Sequence, residues 1–211
     1  MAGQFEPVKG GGAAVALDEV EISILRSLVV QLLELVGPGD EPADGEDEDP
    51  LAALFAEGPT EAPADPALAR LFPDAYDEKE ADYSSEFRRF TENDLRARKR
   101  DDALAMVRTL DEAAAAPAPG GATRGGHWGG GKKRARSAGA AVVRLSPEDS
   151  LHWLGALNDL RLTIGTRLEV SDEDENDELY RLPDDDPRKP MVMAYLWLGA
   201  LQETLVGTLT P

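Results

Sequence analysis

Apolar residues recur at helical spacing in four segments of the chain, and each spacing predicts a helix with a buried side. The clearest segment is residues 146–170, in which Ser146 can cap the helix and Pro147 suits its first position. Its apolar side consists of Trp153, Leu154, Leu157, Leu160, Ile164 and Leu168. A stripe of this kind has to be buried, so we expect this helix to be a central core element.

Residues 18–36 form the second strongly predicted helix, which Asp18 caps and Gly37 and Pro38 end. Apolar residues cover well over half of its circumference, which indicates contacts from several sides. Two roles stay open for this helix: a central position in the core, or the contact helix of a homodimer.

A long helix is predicted over about residues 80–112, and its apolar side is unusual because it carries acids. Asp94 and Asp101 fall on the same side as the apolar residues Phe87, Phe90, Ala97 and Leu104. We expect this side to lie against another helix. A charge left unpaired there would be costly, so Asp94 or Asp101 is expected to form a structural ion pair with Arg161. The alternatives are a polar spot that binds a ligand, or an acid/base pair.

Shorter segments complete the predicted elements. Residues 4–17 form two extended pieces around three glycines, which indicates a β-hairpin, and residues 141–145 are a third strand that could join it. Residues 65–76 should form a helical turn, and a last helix should run over about residues 187–208.

The fold class that follows is mainly α. We predict a single helical domain over residues 1–211, with about four principal helices and a small three-stranded accessory sheet. Residues 38–65 and 113–140 are rich in Pro, Gly, Ala or acidic residues and cannot bury enough surface to offset their ordering entropy. Both are therefore predicted to be disordered linkers.

The charge of the chain narrows the classes of function. A formal net charge of −19 argues against binding nucleic acid over the whole surface, because phosphate attraction needs a positive face. The 211 residues include no cysteine, which removes disulfides and thiol switches within this chain. The first residues lack an apolar signal core, and no run is long enough to span a membrane. We expect a cytoplasmic protein.

Two basic clusters are the candidate contacts for nucleic acid or for an acidic partner. The first lies in the second linker, beside Trp128, and consists of Arg124, Lys132, Lys133, Arg134 and Arg136. The second consists of Arg89, Arg96 and Arg100, which share one face of the long helix. The plainer interpretations are a basic linker that offsets an acidic surface, and intrahelical pairing with neighbours such as Glu92.

No motif of the chain carries catalytic chemistry. The sequence lacks a nucleophile with an adjacent base, a phosphate-binding glycine loop and a metalloprotease helix motif. The acidic run 172–176 imitates the start of a calcium loop, but Asp177 and Pro183 replace the glycine and the glutamate that such a loop requires. We therefore expect a non-enzymatic protein without a metal or cofactor.

The order of the segments resembles the actinobacterial AosR family, long known only as a domain of unknown function. The segments that carry the resemblance are LDEVEISILRSLVVQLLELVG, DPALARLFPDAY, SSEFRRFTENDLRARK, LSPEDSLHWLGALNDLRLTIGTRLEV and DPRKPMVMAYLWLGALQETLVGTL. The resemblance implies an oxidative-stress transcriptional regulator that works with an extracytoplasmic-function sigma factor. It thereby implies a sigma factor or RNA polymerase as partner, with DNA contacted indirectly. Redox sensing through a cysteine pair, which some mycobacterial members use, is impossible in this chain.

Two other functions remain open beside a regulator of transcription. The first is an acidic adaptor or scaffold that binds another protein and has no role at promoters. The second is a sensor of calcium or of a small molecule. Binding to promoters together with a sigma factor would separate the regulator from the adaptor.

Overall fold

The computed structural model describes residues 3–37, 58–77, 81–116, 140–170 and 181–209. These residues form three strands and five helices. The strands are β1 (Glu6–Pro7), β2 (Ala13–Leu17) and β3 (Ala141–Leu145). The helices are α1 (Glu19–Val36), α2 (Pro66–Leu71), α3 (Ala81–Ala115), α4 (Pro147–Arg167) and α5 (Lys189–Leu209). The predicted fold class, mainly α with a small three-stranded sheet, is confirmed.

The sheet is antiparallel, in the order β1-β2-β3, and the predicted hairpin and third strand are both present. The turn between β1 and β2 depends on Gly12, whose φ of +87° is rarely adopted by other residues. A Cβ atom at Gly12 would lie 2.2 Å from the carbonyl oxygen of Leu145 in β3. The glycine therefore lets the turn pass close to the neighbouring strand.

Helix α1 starts and stops at the residues that the sequence predicted. The side chain of Asp18 accepts a hydrogen bond of 2.8 Å from the amide of Glu21, whose carboxylate in turn accepts from the amide of Asp18. Gly37 ends the helix with a φ of +84°. The buried side chains of α1 are Ile22, Leu25, Val29, Leu32 and Val36. They pack against α3 and α4, so the structure gives α1 a place in the core.

Helix α4 is central, as its apolar stripe predicted, because it packs against all four other helices. Trp153 and Leu157 on this helix are completely buried. The indole nitrogen of Trp153 donates a hydrogen bond of 2.7 Å to the hydroxyl of Thr109, and its ring meets the ring of Phe5 edge-on. This arrangement joins α4 to α3 and to the residues before β1.

The expectation that the apolar side of the long helix faces the core was wrong. Phe90 is 68% exposed, Phe87 is 48% exposed and Leu104 is 47% exposed. In the first half of α3 the buried residues are instead polar: Ser84, Arg88 and Glu92. In the second half they include Ala103, Met106, Leu110 and Ala113. A buried ion pair thus takes the place that the sequence pattern assigned to two phenylalanines.

The two linkers lie only partly within the described residues. Residues 38–57 and 117–139 lie outside them, so their predicted disorder stays a prediction. Residues 58–65, in contrast, are described and lead into α2, with the amide of Gly58 donating to the carbonyl of Arg89. Residues 113–115 belong to α3. The structured part therefore extends further into both predicted linkers than composition indicated.

Candidate partner-binding surface

The solvent-facing side of α3 carries a continuous row of side chains that repeats every three or four residues. We call this row the α3 stripe; it consists of Tyr83, Phe87, Phe90, Asp94, Ala97, Asp101 and Leu104, all of them exposed. At the rise of an α-helix the stripe is about 32 Å long. Its large apolar side chains are Tyr83, Phe87 and Phe90 at one end and Leu104 at the other. Large apolar side chains exposed next to one another, rather than singly, are typical of a surface that binds another molecule.

The aromatic end of the stripe is extended by a residue that precedes α3. The ring of Tyr76 lies 6.1 Å from the ring of Tyr83 and 6.3 Å from that of Phe87, measured between centroids. The guanidinium of Arg89 lies 5.3 Å from the ring centroid of Phe90. The four rings together give this end of α3 an exposed aromatic patch.

A buried ion-pair network fixes the opposite side of this part of α3. Arg88 is ion-paired with the buried carboxylate of Glu92 and, at 2.7 Å, with Asp74. It also donates to the carbonyl oxygen of Phe72 at 3.1 Å. Burial opposes the charge of Arg88, but the pairs with Asp74 and Glu92 outweigh burial and raise its pKa above the usual value. The charged network thereby holds the stripe toward solvent.

Two of the candidate arginines on α3 are engaged within the protein. Arg96 pairs with Glu92 at 2.6 Å and donates to the carbonyl oxygen of Val36 at 2.5 Å. Arg100 donates to the carbonyl oxygen of Gly37. Both therefore bind the C-terminal end of α1, where positive charge is favourable. The third, Arg89, lies near Glu86 as well as Phe90. Pairing of Arg96 with Glu92 was the plainer interpretation of the sequence.

An open groove of about 980 Å³ lies beside the middle of the α3 stripe, between α3, α4 and α5. We call it the acidic groove. Its carboxylates are Asp94, Asp101, Asp102 and Glu148, and Arg98 and His152 lie among the residues that line it. Leu151, Leu154 and Val206 are apolar side chains of the same groove. Stripe and groove form one surface that is apolar and negatively charged.

The groove contains a histidine–carboxylate pair that sequence reasoning missed. Nδ1 of His152 lies 2.7 Å from Oδ1 of Asp102. A Cβ atom at Gly155 would lie 2.3 Å from the same carboxylate, so a glycine at this position leaves room for Asp102. None of the described residues that line the groove is Ser, Thr, Cys or Lys. The pair connects α4 to α3 at the groove.

Next to the groove, Lys99 forms an ion pair of 2.7 Å with the buried carboxylate of Asp159. Burial raises the pKa of Asp159, and the contact with Lys99 offsets this only in part. The pair joins α3 to α4 through two residues that lie far apart in the sequence, so no local sequence pattern could have indicated it.

The predicted ion pair of Arg161 with Asp94 or Asp101 is replaced by other contacts. Arg161 donates to the side-chain oxygen of Gln202 at 2.5 Å, and its guanidinium lies 5.5 Å from the ring centroid of Tyr195. Among the described residues, no ion pair joins Arg161 to either acid. The physical reason is that Asp94 and Asp101 are exposed, so they need no buried partner.

A second groove, of about 730 Å³, lies between α1, α4 and the start of α5. Its apolar wall includes Leu35, Ile164 and Met191, and its charges are Glu34 and Arg167. The balance of one acid and one base gives this groove no preferred charge in a partner.

Several sequence-predicted candidates cannot be placed. Arg124, Lys132, Lys133, Arg134 and Arg136 lie outside the described residues, as does the acidic run 172–176. Within the described ranges, no group of three or more His, Asp or Glu side chains is arranged to hold a metal ion. No helix of the same ranges is long and apolar enough to cross a membrane.

Comparison with known proteins gives relatives along nearly the whole chain. A Mycobacterium tuberculosis protein named oxidative stress regulator AosR is 24% identical over 198 residues, which cover 88% of this chain and 77% of the relative. The Mycobacterium bovis protein of the same name gives the same values, and a Mycobacterium leprae relative is 26% identical over an equal length. No solved structure matches the chain significantly. A family model described as a domain of unknown function, DUF2017, matches residues 2–209, and this chain therefore belongs to the DUF2017 family.

Proposed function

We propose that this protein is a non-enzymatic regulator of the response to oxidative stress, acting on transcription in the cytoplasm through a sigma factor or RNA polymerase. One observation carries the proposal: the match over 198 residues to mycobacterial proteins named oxidative stress regulator AosR. The α3 stripe supports it, since a regulator without catalytic chemistry has to act by binding.

A protein is favoured over DNA as the direct partner. The net charge of −19 repels phosphate, and the acidic groove adds local negative charge beside the α3 stripe. Arg96 and Arg100, two of the candidate phosphate contacts on α3, bind the end of α1. We propose that DNA is reached indirectly, through the protein partner.

The signal does not act through a thiol on this chain, because its 211 residues include no cysteine. We propose that the partner, or the cellular amount of this protein, carries the redox information. Formation of a homodimer through α1 stays a prediction.

The second candidate function is an acidic adaptor that binds another protein away from promoters. The exposed aromatic patch favours protein binding equally in this case. The two candidates differ in the identity of the partner.

The test is purification of the tagged full-length chain from its host after peroxide treatment, with nuclease present, followed by mass spectrometry and reconstitution with purified RNA polymerase holoenzyme. A stable complex with the sigma factor or polymerase that survives nuclease is the expected result. Enrichment of an unrelated protein, with no complex on reconstitution, would refute the regulator and favour the adaptor as the function of this protein.

A further inference from the structure

We infer that the α3 stripe and the acidic groove bind one positively charged amphipathic helix of a partner protein. This inference deepens the proposed function and rests on it for the existence of a protein partner.

The apolar part of the surface has the composition of a binding site. Tyr83 and Phe90 are 66% and 68% exposed, and Leu151 on α4 is 62% exposed at the far side of the groove. Aromatic side chains bury large areas at low entropic cost and dominate the binding energy of protein interfaces. The ring of Tyr76 contacts those of Tyr83 and Phe87. These contacts restrict the rings before a partner binds, which lowers the entropy lost on binding.

The charges of the surface determine the sign of the partner. Asp94 and Asp101 lie within the stripe itself, between Phe90 and Leu104. Asp102 on α3 and Glu148 on α4 also line the groove. A partner that covers the apolar residues must also lie against these carboxylates. Lysine or arginine on the partner would pair with them, whereas acidic or neutral partners would leave them desolvated.

The shape of the surface favours a helix. The stripe follows one helix for about 32 Å and has α4 and α5 along one side of its middle. A helix of about 18 residues, with apolar side chains at three- and four-residue spacing and cations beside them, would cover most of it.

A second copy of this chain is the less suitable occupant. In a two-fold pairing of whole antiparallel stripes, the midpoint of the contact lies beside Asp94, so the Asp94 carboxylates of the two copies would lie against each other. Like charges opposed in this way disfavour association. The groove between α1, α4 and α5 does not fit the basic helix either, because Glu34 and Arg167 balance each other there.

The ion-pair network below α3 makes the surface ready for binding. Arg88 is 5% exposed and connects α3 to Phe72 and Asp74. The aromatic end of the stripe is consequently held on a rigid element, so a partner does not have to order it.

The experiment uses the full-length chain and two labelled synthetic peptides of about 18 residues. One has leucines at helical spacing with lysines at all other positions, and the other replaces every lysine by glutamate. Fluorescence anisotropy should show binding of the lysine peptide and none of the glutamate peptide. Binding of both peptides, or of neither, would overturn the inference.

Matched variants locate the site. Asp94→Asn with Asp101→Asn should weaken the lysine peptide at least tenfold. Glu19→Gln with Glu34→Gln removes the same charge from exposed positions on α1 and should change affinity less than twofold. Phe87→Ser with Phe90→Ser should also weaken binding tenfold or more. Circular dichroism checks that each variant is folded. We expect all of them to fold, because every substituted side chain is exposed.

If the two charge-removing double variants weaken binding of the lysine peptide equally, the peptide is attracted to the acidic protein in general. That result would refute a defined site. The peptide experiment contains no transcription protein. If no peptide binds as expected, the proposed binding surface is refuted, and the complex with polymerase is still tested by reconstitution. If reconstitution fails instead, the proposed transcription partner is refuted, and the binding surface is not.

Discussion

At the scale of single residues, buried charges determine how α3 sits on the molecule. Glu92 is 3% exposed and lies between two arginines, Arg88 and Arg96. Its carboxylate is the counter-charge for both. Removing one member of such a network leaves the others buried without compensation, which costs more than the network contributes as a whole.

Replacing Glu92 by Gln should therefore lower the free energy of unfolding by about 3–5 kcal/mol. Urea denaturation followed by circular dichroism measures it. Glu86→Gln, at an exposed position six residues away on the same helix, should change stability by no more than about 0.5 kcal/mol. Equal effects of the two substitutions would show that the network is not buried.

The pKa of Asp159 predicts a pH dependence. Because burial raises this pKa above its unfolded value of 3.8, the folded protein binds a proton more tightly than the unfolded chain. Raising the pH from about 4 through the folded pKa therefore removes stability that Asp159 contributes when protonated.

Asp159→Asn imitates the protonated carboxyl and should lack this loss. The stability of the natural protein relative to the variant should fall as the pH rises from about 4 to 7, measured by urea denaturation at each pH. A relative gain of the natural protein over the same range would mean that the ion pair with Lys99 dominates over burial.

At the scale of elements, the turn before β2 depends on the close approach of Gly12 to β3. Gly12→Ala combines a left-handed φ with a Cβ placed 2.2 Å from the carbonyl oxygen of Leu145, so the turn or β3 has to move. Gly10→Ala is the matched control, because Gly10 has a similar φ of +97° but open space around it.

We expect Gly10→Ala to cost about 1–2 kcal/mol from backbone strain alone, and Gly12→Ala to cost clearly more. Thermal unfolding of both variants, compared with the natural protein, measures the difference. Equal losses would show that the contact with β3 relaxes freely.

Elements whose ends have local chemical signals could be predicted from the sequence. Asp18 and Ser146 begin α1 and α4 through hydrogen bonds to their own first turns, and Gly37 ends α1. The apolar stripe of α4 likewise indicated a central helix, since burial and periodicity agree there. These features depend on neighbours in the sequence.

The orientation of α3 could not be predicted, because its buried side in the first half is polar. Arg88 and Glu92 give no apolar periodicity, whereas Phe87 and Phe90 do, so the pattern selected the exposed side as the core side. Arg88 also binds Asp74, which precedes α3, and Asp102 contacts His152 on α4. The same long-range pairing prevented prediction of the acidic groove.

At the scale of the whole molecule, an acidic protein presents exposed aromatic side chains beside its acidic groove. The net charge of −19 is compatible with a partner that has a basic surface, and we propose the α3 stripe, from Tyr83 to Leu104, as the place where it binds. The central claim is that this surface connects the protein to the transcription machinery.

The most direct test is photo-crosslinking in living cells under peroxide stress, with a photoreactive amino acid in place of Phe90 and, as the control, in place of the equally exposed Val20 on α1. The account predicts a covalent adduct between the Phe90 position and a sigma factor or RNA polymerase subunit, and no such adduct at Val20. Adducts with these proteins at Val20 and none at Phe90 would contradict the account.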